Sequence, residues 1–151
     1  MDDESEMSRL PRLTSIRVSL LITGFGDNPT DVTQALRVTP TRLGRVGDDV
    51  LSPTGAKTRR KVRRPFWSLQ SRTPPEVELS EQIRDVINQL GAGLQRLPRL
   101  PQGTSATILC TVIPDEYLPV LVLQPQAMRA LGEVGISVSI DVLEVDAAEP
   151  L

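Results

Sequence analysis

The chain has no histidine and a single cysteine, Cys110, in 151 residues. Without histidine there is no Ser-His-Asp triad, no Cys-His dyad and no His-ligated metal. With one cysteine there is no intrachain disulfide and no structural zinc site. Aromatic residues are also scarce: Phe25, Phe66, Trp67 and Tyr117 are the full set, so the core has to be aliphatic. No stretch approaches the eighteen or so apolar residues of a membrane span. The first residues, MDDESE, are acidic where a secretory leader needs basic residues and then an apolar run. These absences set the expectations: a cytoplasmic, non-membrane protein with no cofactor and no metal, and not an enzyme of conventional type. Any general acid or base would be a carboxylate, Lys or Tyr.

What is present is a polarity of charge. The formal net charge is −2, and the isoelectric point is near 5.2. Within that acidic average, residues 1–8 carry four acids and no base, and residues 57–64 carry six bases and no acid. The basic cluster belongs to the run KTRRKVRRPFWSLQS at 57–71, which also holds the only tryptophan. Two readings stand side by side. Arg59, Arg60, Lys61, Arg63 and Arg64, with Trp67 or Phe66 stacking, form a binding surface for an acidic protein or for phosphates. Alternatively, the run is a solvated loop leading into a strand whose Trp67 anchors the core. The low isoelectric point argues against a general nucleic-acid domain.

Residues 1–12 read as a disordered acidic tail, 13–146 as a single α+β domain, and 147–151 as a short tail. Ile16, Val18, Leu20 and Ile22 alternate with Arg17 and Ser19, which predicts a strand. Asn28-Pro29 opens a short helix with Val32, Ala35 and Leu36 on its apolar stripe. A loop runs from Gly44 to about Arg64, and Phe66–Gln70 is a strand with Trp67 and Leu69 on one face. Leu79, Ile83, Val86, Ile87, Leu90, Leu94 and Leu97 fall on one face of a helix capped by Ser80 and weakened at Gly91 and Gly93. Ala106–Ile113 is a strand. Pro119–Leu123, an almost unbroken apolar run, reads as a central strand buried on both faces. Gln124-Pro125 starts a third helix, and Ile136–Val145 closes the chain as a strand with one dry and one wet face. The sum is an α+β domain: a mostly antiparallel or mixed sheet of about five to six strands, with three helices packed on one face.

Other candidate groups have bland readings. Asp48-Asp49 and Asp115-Glu116 are too few oxygens for a hard-metal site and read as turn residues. Asp48, Asp49 or Asp115 is also the group a carboxylate-based enzyme would use. Gly24-Phe25-Gly26 lacks the rest of a phosphate loop. Cys110 sits on an apolar strand face, where a thiol packs and stays inert. Arg17, Ser19, Thr107, Thr111, Ser137, Ser139 and Asp141 share the wet face if their strands join one sheet, and Arg17 pairs with Asp141 if their strands are neighbours.

Several of these residues, in order, resemble the bacterial domain of unknown function 4279 family: Pro29 to Thr33, Leu36, Pro40-Thr41, Arg45 with Gly47, Trp67 to Leu69, Ser71, the long helix, and the closing pattern from Leu123 to Val142. The resemblance covers about residues 15–145. It implies a compact α+β domain and supplies no reaction and no catalytic residues. By analogy of size and class, the expected role is a non-enzymatic binding module with a protein partner, as an adaptor or an immunity-type protein. Nucleic-acid binding through 57–64 and Trp67 is the alternative.

Overall fold

The computed structural model of the protein describes residues 14–52, 54–115 and 120–143. The tails expected at 1–12 and 147–151 lie outside them. Among the described residues, seven strands and three α-helices follow one another as β1 (Ser15–Thr23), α1 (Thr30–Leu36), β2 (Arg42–Gly44), β3 (Asp49–Leu51), β4 (Lys57–Lys61), β5 (Phe66–Gln70), α2 (Leu79–Leu90), a 3-10 segment (Gly91–Arg99), β6 (Ser105–Ile113), α3 (Pro125–Glu133) and β7 (Ser137–Val142). β2, β5, β1, β6 and β7 make one sheet in that order, and β3 and β4 make a separate two-stranded sheet. Pairing is antiparallel except between β6 and β7, which α3 connects as a parallel crossover. This is the mixed-sheet α+β architecture the strand and helix patterns predict.

Alternation decides which side of the sheet is dry. Ile16, Val18, Leu20 and Ile22 stand opposite Val112, Cys110, Ile108 and Ala106, and Leu20 and Ile22 stand opposite Leu69 and Trp67. The helices cover this face, with Leu79, Ile83, Val86 and Leu90 of α2 in the same core as Val32 and Leu36 of α1. Each fully buried aliphatic side chain there contributes about 1.5–3 kcal/mol of transfer free energy. The most deeply buried polar side chain among the described residues is Gln82. Gln82 is 1% exposed, and its Nε2 donates to the carbonyls of Ile16 at 2.7 Å and Val77 at 3.0 Å. It ties α2 to the start of β1.

The long helix ends its α-helical part at Leu90, where Gly91 adopts φ +53°. Leu94 and Leu97 continue the buried stripe along the 3-10 segment. Gly93 sits against the backbone of Leu36, so close that a Cβ there would lie 2.8 Å from that carbonyl oxygen.

Three expectations are corrected. Ser80 is not the cap of α2. Glu78 holds that position, while the Ser80 hydroxyl donates to Val122 O at 3.0 Å and accepts from Gln124 N at 3.3 Å. The apolar run 119–123 is not a central strand. Val120 is 89% and Val122 52% exposed, Leu121 and Leu123 pack on the core, and the middle of the sheet is taken by β1. β1 and β6 are each already paired on both sides, so no central place is open to the run; Pro119 itself lies outside the described residues. Finally, the region from Gly44 to Arg64 is not a loop, because it contains the β3–β4 hairpin.

Candidate functional site

The basic run folds as the second strand of that hairpin. A strand of Lys57, Thr58, Arg59, Arg60 and Lys61 has no apolar alternation to recommend it. Its pairing comes from its partner: Asp49 stands opposite Lys61, and Leu51 opposite Lys57, with an irregularity between. The Asp49 carboxylate accepts a hydrogen bond from Lys61 and lies 3.6 Å from the Lys57 ammonium. The hydrogen bond from Lys61, helped by the nearby lysine charges, holds the Asp49 carboxyl below the ordinary carboxylate range. Thr58 adds a cross-strand bond from its hydroxyl to Val50 O at 2.6 Å.

Both ends of the hairpin are tied. At the tip, Ser52 N donates to Ala56 O at 2.8 Å, and Gly55 turns with φ +89°. At the base, Asp48 Oδ2 accepts from Arg45 N at 2.8 Å. Gly47 N donates to Val62 O at 2.9 Å, and Val62 N to Asp48 O at 2.8 Å. Val62 is the buried residue of the base, at 9% exposure.

Asp49 engages two of the six bases, Lys57 and Lys61. Arg59, Arg60, Arg63 and Arg64 are exposed, and no ion pair joins them to an acid among the described residues. Val50, Arg59, Arg60, Lys61 and Arg63 line an open depression on this hairpin. Exposed guanidinium groups offer planar, bidentate donors that suit carboxylates and phosphates.

Trp67, which the binding reading places with these bases, is elsewhere. It is 0% exposed. Its Nε1–H donates to Thr33 Oγ1 at 3.0 Å. The tryptophan is a core residue bridging β5 and α1, and it cannot stack on a ligand while the fold is intact. Alternation on β5 explains the placement: Trp67 and Leu69 face the helices, and Phe66 and Ser68 face away. Phe66 is half-buried, with its ring over Gly44, where an added Cβ would meet Phe66 Cε1 at 2.3 Å.

The remaining candidates resolve as follows. Asp48 closes a turn and Asp49 an ion pair. Asp115 is exposed, and Glu116 lies outside the described residues. No group of three His, Cys, Asp or Glu that could hold a metal occurs among the described residues. Cys110 is buried, and burial pushes its thiol up to about 11. Gly24 and Gly26 have φ +80° and +112° and carry the turn from β1 toward α1. Gly24 abuts the carbonyl of Gly103.

The wet face is assembled as the alternation predicts. Leu21, Thr107 and Ser137 form one row across β1, β6 and β7, and Ser19, Leu109 and Ser139 the next. Thr107 and Ser137 share a hydroxyl hydrogen bond at 3.0 Å. The expected Arg17–Asp141 pair does not form, because both stand opposite Thr111 on its two sides and β6 separates them.

Composition and charge overlook one residue, Arg45. Its Nη2 donates to Thr30 Oγ1 at 3.0 Å and to Asn28 Oδ1 at 3.4 Å. Asn28 also accepts from Thr30 N at 3.1 Å. Arg45 therefore locks the base of the hairpin to the start of α1, while Thr33 of the same helix receives the Trp67 indole. Thr30, Thr33, Arg45, Gly47 and Trp67 all belong to the ordered set that carries the family resemblance. In the structure these residues form one joint between α1, the hairpin and β5.

No curated protein and no solved structure matches this chain. A family model, described as "Domain of unknown function (DUF4279)", matches residues 14–144. That span takes in every described element from β1 to β7, so the chain belongs to the DUF4279 family.

Proposed function

We propose that the protein is a non-enzymatic binding module whose β3–β4 hairpin docks onto an acidic surface of a protein partner, as an adaptor or an immunity-type protein would. The observation that carries this reading is the hairpin's charge arrangement. Asp49 engages Lys57 and Lys61 and Asp48 the backbone of Arg45, while Arg59, Arg60, Arg63 and Arg64 are exposed and no ion pair joins them to an acid among the described residues. A tied two-stranded scaffold holds the backbone of these arginines in place before binding, which lowers the ordering cost of a complex. Complementary charge then speeds encounter and sets orientation.

A bacterial, cytoplasmic setting belongs to the same proposal. No helix among the described residues is long and apolar enough to cross a membrane. Nucleic acid is the second reading, since the same four guanidinium groups suit phosphates. Among the described residues it finds no exposed ring beside the bases for stacking, with Trp67 in the core and Phe66 half-buried over Gly44. A carboxylate enzyme is the weakest reading, because Asp48 and Asp49 are engaged in the turn and the ion pair.

The test is affinity capture from native cells at low salt, with half of the sample treated with nuclease. A protein enriched in both halves supports the docking reading. Material lost with nuclease moves the hairpin to nucleic acid and overturns it.

A further inference from the structure

We infer that β7 is a self-pairing edge through which two copies of this chain join antiparallel about a twofold axis at Ile140. The inference is independent of the basic hairpin. β7 closes the sheet, and among the described residues it pairs only with β6. It carries neither lysine nor proline, and its one charge is Asp141, where charged side chains and proline are what blunt an exposed edge. Ile140 and Val142 are 42% and 40% exposed although they stand on the helix-covered side of the sheet.

The direction of the backbone groups follows from one bond. Leu143 N donates to Val112 O at 2.9 Å. In a regular parallel ladder, alternate residues use both backbone groups toward the same neighbour. Asp141 and Ser139 therefore turn theirs to β6, in phase with Leu143. The N–H and C=O groups of Val138, Ile140 and Val142 point to the open edge. The same parity holds across the sheet, where Ile16 N and Val18 O, both on even positions of β1, bond outward from β6 to Pro75 O and Ser71 N.

A second copy is the occupant the pattern fits. With Ile140 on the axis, Ile140 faces its own counterpart, and Val138 faces the other copy's Val142. Each of these pairs exchanges backbone hydrogen bonds, and all their side chains are apolar and share the helix-covered side. On the wet side, Ser139 faces Asp141, a hydroxyl donor against a carboxylate. An axis at Asp141 would oppose two like charges, which is unfavourable in a sheet. In this register the strand thus meets itself with its outward backbone groups paired, apolar side chains opposed and no like charges opposed. One strand pair makes a small contact, so the dimer is weak and concentration-dependent.

The test is amide hydrogen exchange by NMR, with light scattering, on the full chain from about 10 µM to about 1 mM, a range suited to weak association. The expected result is mass rising toward a dimer, with Val138, Ile140 and Val142 amides becoming protected as concentration rises. Ser139 and Asp141, bonded to β6, stay protected throughout. Ile140→Lys places two ammonium groups on the axis and weakens association by about tenfold or more, with the circular dichroism spectrum unchanged. A monomer at every concentration overturns the inference. So does protection of the three edge amides that is independent of concentration, since that means the edge is covered within one chain. If Ile140→Lys fails to fold, the exchange pattern of the unmodified chain decides.

Discussion

Replacing Thr33 with Val separates the structural role of Trp67 from any binding role. The two side chains have the same shape, so α1 keeps its packing, and the β-branched propensities are close. The change removes the acceptor of the Trp67 Nε1–H, which lies at 3.0 Å, while the indole stays 0% exposed. A buried donor left without an acceptor costs about 1–3 kcal/mol. Thr33 itself is only half-buried, so water can partly reach the site and the lower half of that range applies, about 1–2 kcal/mol. For a domain of this size that lowers the thermal midpoint by about 2–8 °C. Trp67→Phe removes the donor as well. The double variant therefore loses less than the sum of the two single changes, with a coupling of about 1 kcal/mol. The assay is urea unfolding of all four proteins at constant slope, followed by capture of the partner. Stability falls and capture is retained. A Thr33→Val midpoint equal to that of the unmodified chain would refute the bond, and loss of capture in a folded Trp67→Phe protein would refute the assignment of Trp67 to the core alone.

Three further outcomes follow from single positions. Gly24→Ala puts a Cβ 2.4 Å from Gly103 O at φ +80°, and a loss of about 2–3 kcal/mol is expected in denaturant titration. Cys110, buried with its thiol pushed up to about 11, stays unmodified by iodoacetamide at pH 8 until the protein is unfolded; rapid labelling of the native protein would contradict its placement. Asp49 is held below the ordinary carboxylate range by Lys61 and Lys57. Its contribution to hairpin pairing is therefore present above the unfolded carboxylate value of about 4 and is lost as pH falls through the lower folded value. Amide exchange across β3 and β4 should accelerate at that acid end, and Asp49→Asn should show the acceleration at neutral pH.

The parts of the fold that were legible in the sequence are those where one side of an element is dry. The alternation of Ile16 to Ile22 located β1 and its faces, Trp67 and Leu69 located β5, and the leucine stripe located α2 and its break at Gly91. The hairpin was not legible, because Lys57 to Lys61 contains no apolar residue and its strand character depends on Asp49 across the turn. The run 119–123 misled for the opposite reason. It is apolar, yet position along a sheet depends on which edges remain open, and alternation within one segment carries no information about that. Ser80 looked like a cap because its type favours caps, but its hydroxyl was needed by Val122 and Gln124 from far along the chain. Of the candidate site, the exposure of the arginines was legible from their charge. The withdrawal of Trp67 from them was not, since neighbours in sequence on a strand point to opposite sides.

The central claim is that the four exposed arginines of the hairpin bind a partner and contribute little to the fold. Arg59, Arg60, Arg63 and Arg64 changed together to Glu should leave the protein folded, with a stability change of at most about 2 kcal/mol in all, since each exposed substitution is worth within about 0.5 kcal/mol. Used as bait beside the unmodified chain in nuclease-treated lysate, the reversed protein should lose the proteins that the unmodified chain enriches. Enrichment of the same proteins by both baits, with both folded, would contradict the account.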